Sequence, residues 1–121
     1  MRDKKKVLLV DDEKAILKVL SIKLRISGYD VVTAPGGQEA LDLVKSECPD
    51  IMLLDVIMPE IDGFGVLEKL RTFSELPVIV FSARPENAQN AHSLGANDFM
   101  AKPLDVDDLV KRIEILLDHK A

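Results

Sequence analysis

The sequence predicts an α/β protein, a doubly wound five-stranded parallel sheet with helices on both faces. Three observations carry this. Five short apolar runs alternate strictly with five amphipathic segments. The runs at 7–10, 51–54 and 78–81 are apolar throughout, as strands covered on both faces require. The residues with the most reactive side chains follow strands rather than precede them, at the edge where open parallel sheets build their sites.

Val7 to Val10 reads as the first strand. Glu13 to Ser27 reads as a helix, stopped by Gly28, with Ile16, Leu17, Leu20 and Leu24 within about 100° of arc. Val19, Ile22 and Ile26 form a second, narrower stripe that either packs on neighbouring helices or meets a partner. Val31 to Ala34 is the second strand, broken by Pro35-Gly36-Gly37, and Gln38 to Glu47 the second helix. Ile51 to Leu54 is followed by a loop through Pro59 and Asp62-Gly63, then a helix over Phe64 to Thr72. Pro77 introduces the strand Val78 to Phe81, and Gly95 closes a helix over Glu86 to Leu94. Phe99 to Ala101 is the fifth strand. Val106 to His119 is the last helix, its apolar residues spaced by three and four.

The 121 residues make one domain, 1–121, without a linker or repeat. Hydrophobic residues are 47% and charged residues 31%, so the chain can fill a core and is not expected to be disordered. The net charge of −5 argues against binding a nucleic-acid backbone over a broad surface. The short Lys4-Lys5-Lys6 run reads as a solvated start to a strand. One cysteine, Cys48, excludes an internal disulfide and fits a reducing cytosol. No apolar run approaches the roughly 18 residues of a membrane span, and a cytoplasmic location is expected.

Asp11 and Asp12 follow the first strand, Asp55 the third, Ser82 the fourth and Lys102 the fifth. Each has an ordinary use: Asp12 or Ser82 as a helix cap, Asp55 as a strand end, Lys102-Pro103 as a turn. One site explains all of them together. Carboxylates about 4 Å apart at an effective dielectric near 20 repel by about 4 kcal/mol per pair, so the cluster needs cations. Lys102 supplies one charge, and an all-oxygen ligand set favours Mg²⁺. A remaining carboxylate is then suited to nucleophilic attack on phosphorus, with Lys102 and the Ser82 hydroxyl facing phosphoryl oxygens.

Val7-Leu8-Leu9-Val10-Asp11-Asp12-Glu13, Leu53 to Gly63, Val80-Phe81-Ser82-Ala83 and Gly95 to Pro103 resemble the receiver domains of bacterial response regulators, over essentially the whole chain. The resemblance implies a flavodoxin-like (βα)5 fold with strand order 2-1-3-4-5. It implies Asp55 as phosphoacceptor, Asp12 as a direct Mg²⁺ ligand, Asp11 as an acid acting mainly through water, and the Ile57 backbone carbonyl as a further ligand. It implies Ser82 and Lys102 as the phosphoryl-contacting pair, a cis bond before Pro103, and Phe99 as an aromatic switch that turns inward. The resemblance places Ile57 and Arg84 at positions that tune phosphoryl lifetime in the family, and apolar Ile57 and bulky Arg84 are expected to hinder the attacking water and prolong it.

The implied partners are a sensor histidine kinase or phosphotransfer protein, docking on the first helix, and an unknown output protein or domain. The surface of the fourth helix, fifth strand and fifth helix is expected to shift on phosphorylation, with phosphorylation-dependent homodimerisation a further option. On this reading the chain is a phosphoacceptor rather than an enzyme. The competing readings are a phosphorylation-independent interaction module, a haloacid-dehalogenase-type phosphatase and a flavodoxin-like nucleotide binder. The phosphatase needs its nucleophile after the first strand with a second aspartate two residues on, which Asp11-Asp12-Glu13-Lys14 does not provide. The nucleotide binder needs a phosphate-cradling loop where the acids stand.

Overall fold

The structure, a computed structural model, describes residues 4–56 and 62–120. Ile57 and the rest of the loop through Pro59 lie outside the described residues. The elements are β1 (Lys6–Val10), α1 (Lys14–Ile26), β2 (Asp30–Ala34), α2 (Gly37–Glu47), β3 (Ile51–Asp55), α3 (Gly63–Leu70), β4 (Val78–Ser82), α4 (Asn87–Ser93), β5 (Asp98–Ala101) and α5 (Val106–Lys120). All strand pairs are parallel, in the order β2-β1-β3-β4-β5 that the resemblance implies. The winding reverses between β1 and β3, which places the site edge above those two strands.

The two-residue period of a strand sorts the core into two layers. Val7 and Leu9, Ile51 and Leu53, and Ile79 and Phe81 point to one face, where Leu17, Leu20 and Leu24 of α1 and Leu109 and Ile113 of α5 cover them. Leu8 and Val10, Met52 and Leu54, and Val78 and Val80 point to the other, under α2, α3 and α4. The three central strands are thus buried on both faces, which is why they read as unbroken apolar runs. Within α1, Leu17, Leu20 and Leu24 are buried, whereas Val19, Ile22 and Ile26 are 52%, 48% and 81% exposed. The second stripe therefore does not pack on neighbouring helices.

Three helices are shorter than their sequence pattern, α1 by one residue at each end. α3 ends at Leu70 rather than Thr72 because the chain tightens there: Thr72 N–H donates to Lys69 O, Phe73 N–H to Leu70 O, and the Thr72 hydroxyl to Lys69 O. α4 begins at Asn87, after tight turns in which Asn87 N–H donates to Arg84 O and Ala88 N–H to Pro85 O. Ala91 is its only buried residue, so α4 is weakly anchored to the core. Gly95, at φ 102°, closes it in the left-handed conformation that favours glycine.

Gly63 matters for a different reason. Its N–H donates to Val56 O at 3.0 Å, and a Cβ built there would fall against the Val56 Cα and 2.5 Å from the Asp55 carbonyl oxygen. The start of α3, capped by the Asp62 side chain accepting from Gly65 N–H at 2.9 Å, is thereby seated on the backbone that carries Asp55. Because the obstruction is backbone, Gly63→Ala is expected to lower unfolding free energy by about 1–3 kcal/mol in urea titrations. Retention of full stability would show that α3 can lift away freely.

A carboxylate cluster at four strand ends

The site is assembled by strand termini. Asp11 immediately follows β1, Asp55 is the last residue of β3, Ser82 the last of β4, and Lys102 immediately follows β5. Ladder pairing holds them in register: Asp55 lies opposite Phe81, Ser82 opposite Ala101, and Lys102 N–H donates to Ser82 O at 2.8 Å. Carboxylate oxygens of Asp11, Asp12 and Asp55 lie within 4.8 Å of one another. Asp11 and Asp55 are buried, whereas Asp12 is exposed, which gives the cluster one side open to solvent.

One ammonium sits among these acids. Lys102 Nζ is 3.5 Å from Asp11 Oδ2, 3.6 Å from Asp55 Oδ2 and 3.9 Å from Glu13 Oε1. It also lies 5.2 Å from the centre of the Phe81 ring. The bond from Lys102 to Pro103 is cis. Asp11 Oδ1 accepts from Glu13 N–H at 2.9 Å, but among the described residues its buried Oδ2 has no hydrogen-bond partner and pairs electrostatically with Lys102. Burial pushes the Asp11 carboxyl above the usual range; the Glu13 N–H and Lys102 oppose this, and Glu13 and Asp12 add to it.

Asp12 is not the cap of α1, since Glu13 holds that position and makes no side-chain capping bond. Ser82 is not the cap of α4, whose cap position is Glu86. The fully buried Ser82 hydroxyl instead accepts from Arg84 N–H at 3.0 Å and from Asn87 Nδ2 at 2.9 Å. The Arg84 side chain is exposed. Asn87 is a site neighbour that sequence reasoning passed over; its signal was a side-chain amide at the start of a helix five residues after the serine. Phe99 is half-buried beside a cleft of about 310 Å³ that His92 and Ala88 also line.

The site thus gathers Asp11, Asp12, Asp55 and Lys102 directly, sets Ser82 on the adjoining strand, and keeps Phe99 on the neighbouring edge strand. Ile57 lies outside the described residues. The donor set suits a hard divalent cation: oxygen ligands only, excess negative charge, and an orphaned buried carboxylate oxygen.

Residues 7–114 match the response regulator receiver domain family, and the chain belongs to it. It is 42% identical over 119 residues to the probable transcriptional regulator ycf27 of Guillardia theta, covering 97% of this chain and 47% of that one. It is 39% identical over 116 residues to the alkaline phosphatase synthesis transcriptional regulatory protein PhoP of Bacillus subtilis, covering 93% of this chain and 48% of that one. The chain spans about half the length of these curated relatives. Among solved structures, the receiver domain of the Francisella response regulator 1452 superposes with a TM-score of 0.92 at 34% identity, covering 98% of this chain and all of that one. Receiver domains of two-component systems generally act as phosphorylation-activated switches and bind Mg²⁺ in an acidic pocket, and this chain gathers Asp11, Asp12 and Asp55 into an acidic cluster.

Because its folded-state affinity for protons is raised, ionised Asp11 works against the fold at neutral pH, and protonation relieves that cost as pH falls. In chelator at pH 7, Asp11→Asn is expected to stabilise the domain by about 1 kcal/mol. The advantage should shrink as pH falls through the raised carboxyl range. Denaturant titrations at neutral and acidic pH check this; an equal or growing advantage in acid would refute the assignment.

Proposed function

We propose that this domain accepts a phosphoryl group on Asp55 and thereby switches the surface formed by α4, β5 and α5, which controls an output. The observation that supports this reading best is the Lys102 ammonium lying 3.5 and 3.6 Å from two buried carboxylates at the ends of β1 and β3, with Asp12 open beside them. In this reading Asp12 binds Mg²⁺ directly, Asp11 holds it mainly through water, Asp55 contributes an oxygen, and the Ile57 carbonyl, outside the described residues, completes the protein's share. When bound, Mg²⁺ supplies the charge that offsets three carboxylates and an incoming phosphoryl group.

The chemistry is an in-line displacement. An Asp55 carboxylate oxygen forms a bond to phosphorus as the bond to the donor's leaving atom breaks, and that atom departs with the electron pair. Lys102 exchanges a carboxylate for phosphoryl oxygens. Ser82 turns to donate its hydroxyl proton to one of them, and Phe99 moves inward into the space the serine loop vacates. Acyl phosphate formation changes Asp55 from a monoanion to a group nearer −2 with more acceptor oxygens. Two new charge-assisted contacts, at roughly 1.5–3 kcal/mol each, approach the about 5.5 kcal/mol needed to invert a 1:99 population.

The chain acts as a phosphoacceptor that assists its own phosphorylation and dephosphorylation, not as an enzyme for an external substrate. Its donor is a sensor histidine kinase or a histidine phosphotransfer protein. The exposed Val19, Ile22 and Ile26 stripe of α1, beside an apolar cleft lined by Ala15, Ile16, Leu104 and Val106, is the donor's docking surface. A cytoplasmic location fits this role, and among the described residues no helix is long and apolar enough to cross a membrane. The output partner is a protein or domain outside the described residues, with phosphorylation-dependent pairing of two copies as one means of control.

Intact-mass measurement after incubation with acetyl phosphate and Mg²⁺ tests the acceptor. One added phosphoryl group is expected on wild type and none on Asp55→Asn or in chelator. If wild type also took no phosphoryl from a histidine-kinase donor, the domain would act as a phosphorylation-independent interaction module.

The docking surface has its own test. Ile22→Asp with Ile26→Asp is expected to slow phosphotransfer from a histidine kinase at least about tenfold, the effect of losing a small apolar contact. The rate with acetyl phosphate should stay unchanged, and an equal loss with both donors would place the defect in the site instead.

A further inference from the structure

The Ser82 hydroxyl can accept two hydrogen bonds and donate one. Arg84 N–H and Asn87 Nδ2, at 3.0 and 2.9 Å, take the accepting positions. The two partners differ in where they are fixed. Arg84 belongs to the same loop as Ser82 and can travel with it. Asn87 is the first residue of α4, so its side chain ties the serine to the helix.

The two ends of α4 are held differently. At its C-terminal end, Gly95 O accepts from Arg71 Nε at 3.1 Å and Nη2 at 2.8 Å. Arg71 also binds Ser74 O and Asn97 Oδ1, and Asn97 Oδ1 in turn accepts from Val78 N–H of β4. That end is fastened to α3 and the sheet. Between the ends only Ala91 is buried. At the other end, Asn87 reaches the site through the Ser82 hydroxyl.

Resting on the reading of Asp55 as acceptor and Ser82 as its switch, we propose that Asn87 is a positioning residue, a latch that holds Ser82 in its unphosphorylated arrangement. When Ser82 turns toward a phosphoryl oxygen, its Oγ leaves Asn87 Nδ2. The first turn of α4 is then released while Arg71 holds the far end. The latch opposes activation and also carries the phosphoryl state into α4, so Asn87 acts through Ser82 and touches no reacting atom.

The experiment is titration of the chain with beryllofluoride in the presence of Mg²⁺, by calorimetry. It compares wild type, Asn87→Ala, Ser82→Ala and the double variant. Asn87→Ala is expected to bind beryllofluoride about three- to tenfold more tightly, because losing one net hydrogen bond from the resting state raises the competent fraction. In the Ser82→Ala background the same substitution should change affinity less than about twofold, since the two residues act as one unit. Backbone amide resonances of Ala88 and Gln89 in unliganded Asn87→Ala should shift toward their beryllofluoride-bound positions, while that of Gly95 stays in place. Unchanged or weaker affinity in Asn87→Ala, or an equal gain in both backgrounds, would overturn the latch. If wild type bound no beryllofluoride and Asp55 took no phosphoryl group, the underlying reading would fall, and the latch with it.

Discussion

The structure is organised around a charge imbalance. Three carboxylates within 4.8 Å of one another share one lysine, and two of the three are buried. At such separations and an effective dielectric near 20, each like pair repels by about 3–4 kcal/mol before any cation responds. Lys102 offsets part of this and leaves Asp11 Oδ2 without a hydrogen bond. Such an arrangement persists only on a scaffold stable enough to impose it. The unbroken apolar strands β1, β3 and β4, covered on both faces, are that scaffold.

The same strands explain why the residues converge. Parallel pairing fixes the relative height of neighbouring strand ends, so residues distant in sequence arrive at one edge without any loop having to find its way there. Asp55 is still inside the ladder, paired opposite Phe81, and α3 is pressed onto its backbone through Gly63. Asp55 is held from both sides, by the ladder and by α3. Ser82 shares that rigidity through its strand, yet its hydroxyl is engaged by groups in the loop and helix beyond, where packing thins out.

Much of this was legible in the sequence for a physical reason: strands buried on both faces leave unbroken apolar runs, and Asp11, Asp12, Asp55 and Ser82 each stand just beyond one, whereas Lys102 follows the partly buried edge strand β5. The ends of α3 and α4 were less legible, because Thr72 and Pro85 exert local hydrogen-bonding and turn preferences that periodicity does not register. The second stripe of α1 could not be assigned from spacing, since Val19, Ile22 and Ile26 look alike whether a neighbouring helix covers them or not. Asn87 was missed because an asparagine at a helix start has an ordinary role there. Only the 2.9 Å contact with Ser82 distinguishes it.

The setting of Lys102 has a kinetic consequence. A free lysine side chain gives up on the order of 2 kcal/mol of rotamer entropy when it is fixed on a ligand. Here the side chain is already confined by Asp11, Asp55 and Glu13 and by the Phe81 ring beneath it. Most of that ordering is complete before any donor arrives. On the proposed reading, an approaching phosphoryl group would meet an ammonium already aimed at it, and the lysine would change partners without a conformational search. On the same reading the slow part of the response would fall to the backbone beyond β4, so that the speed of capture and the speed of signalling would reside in different parts of the chain.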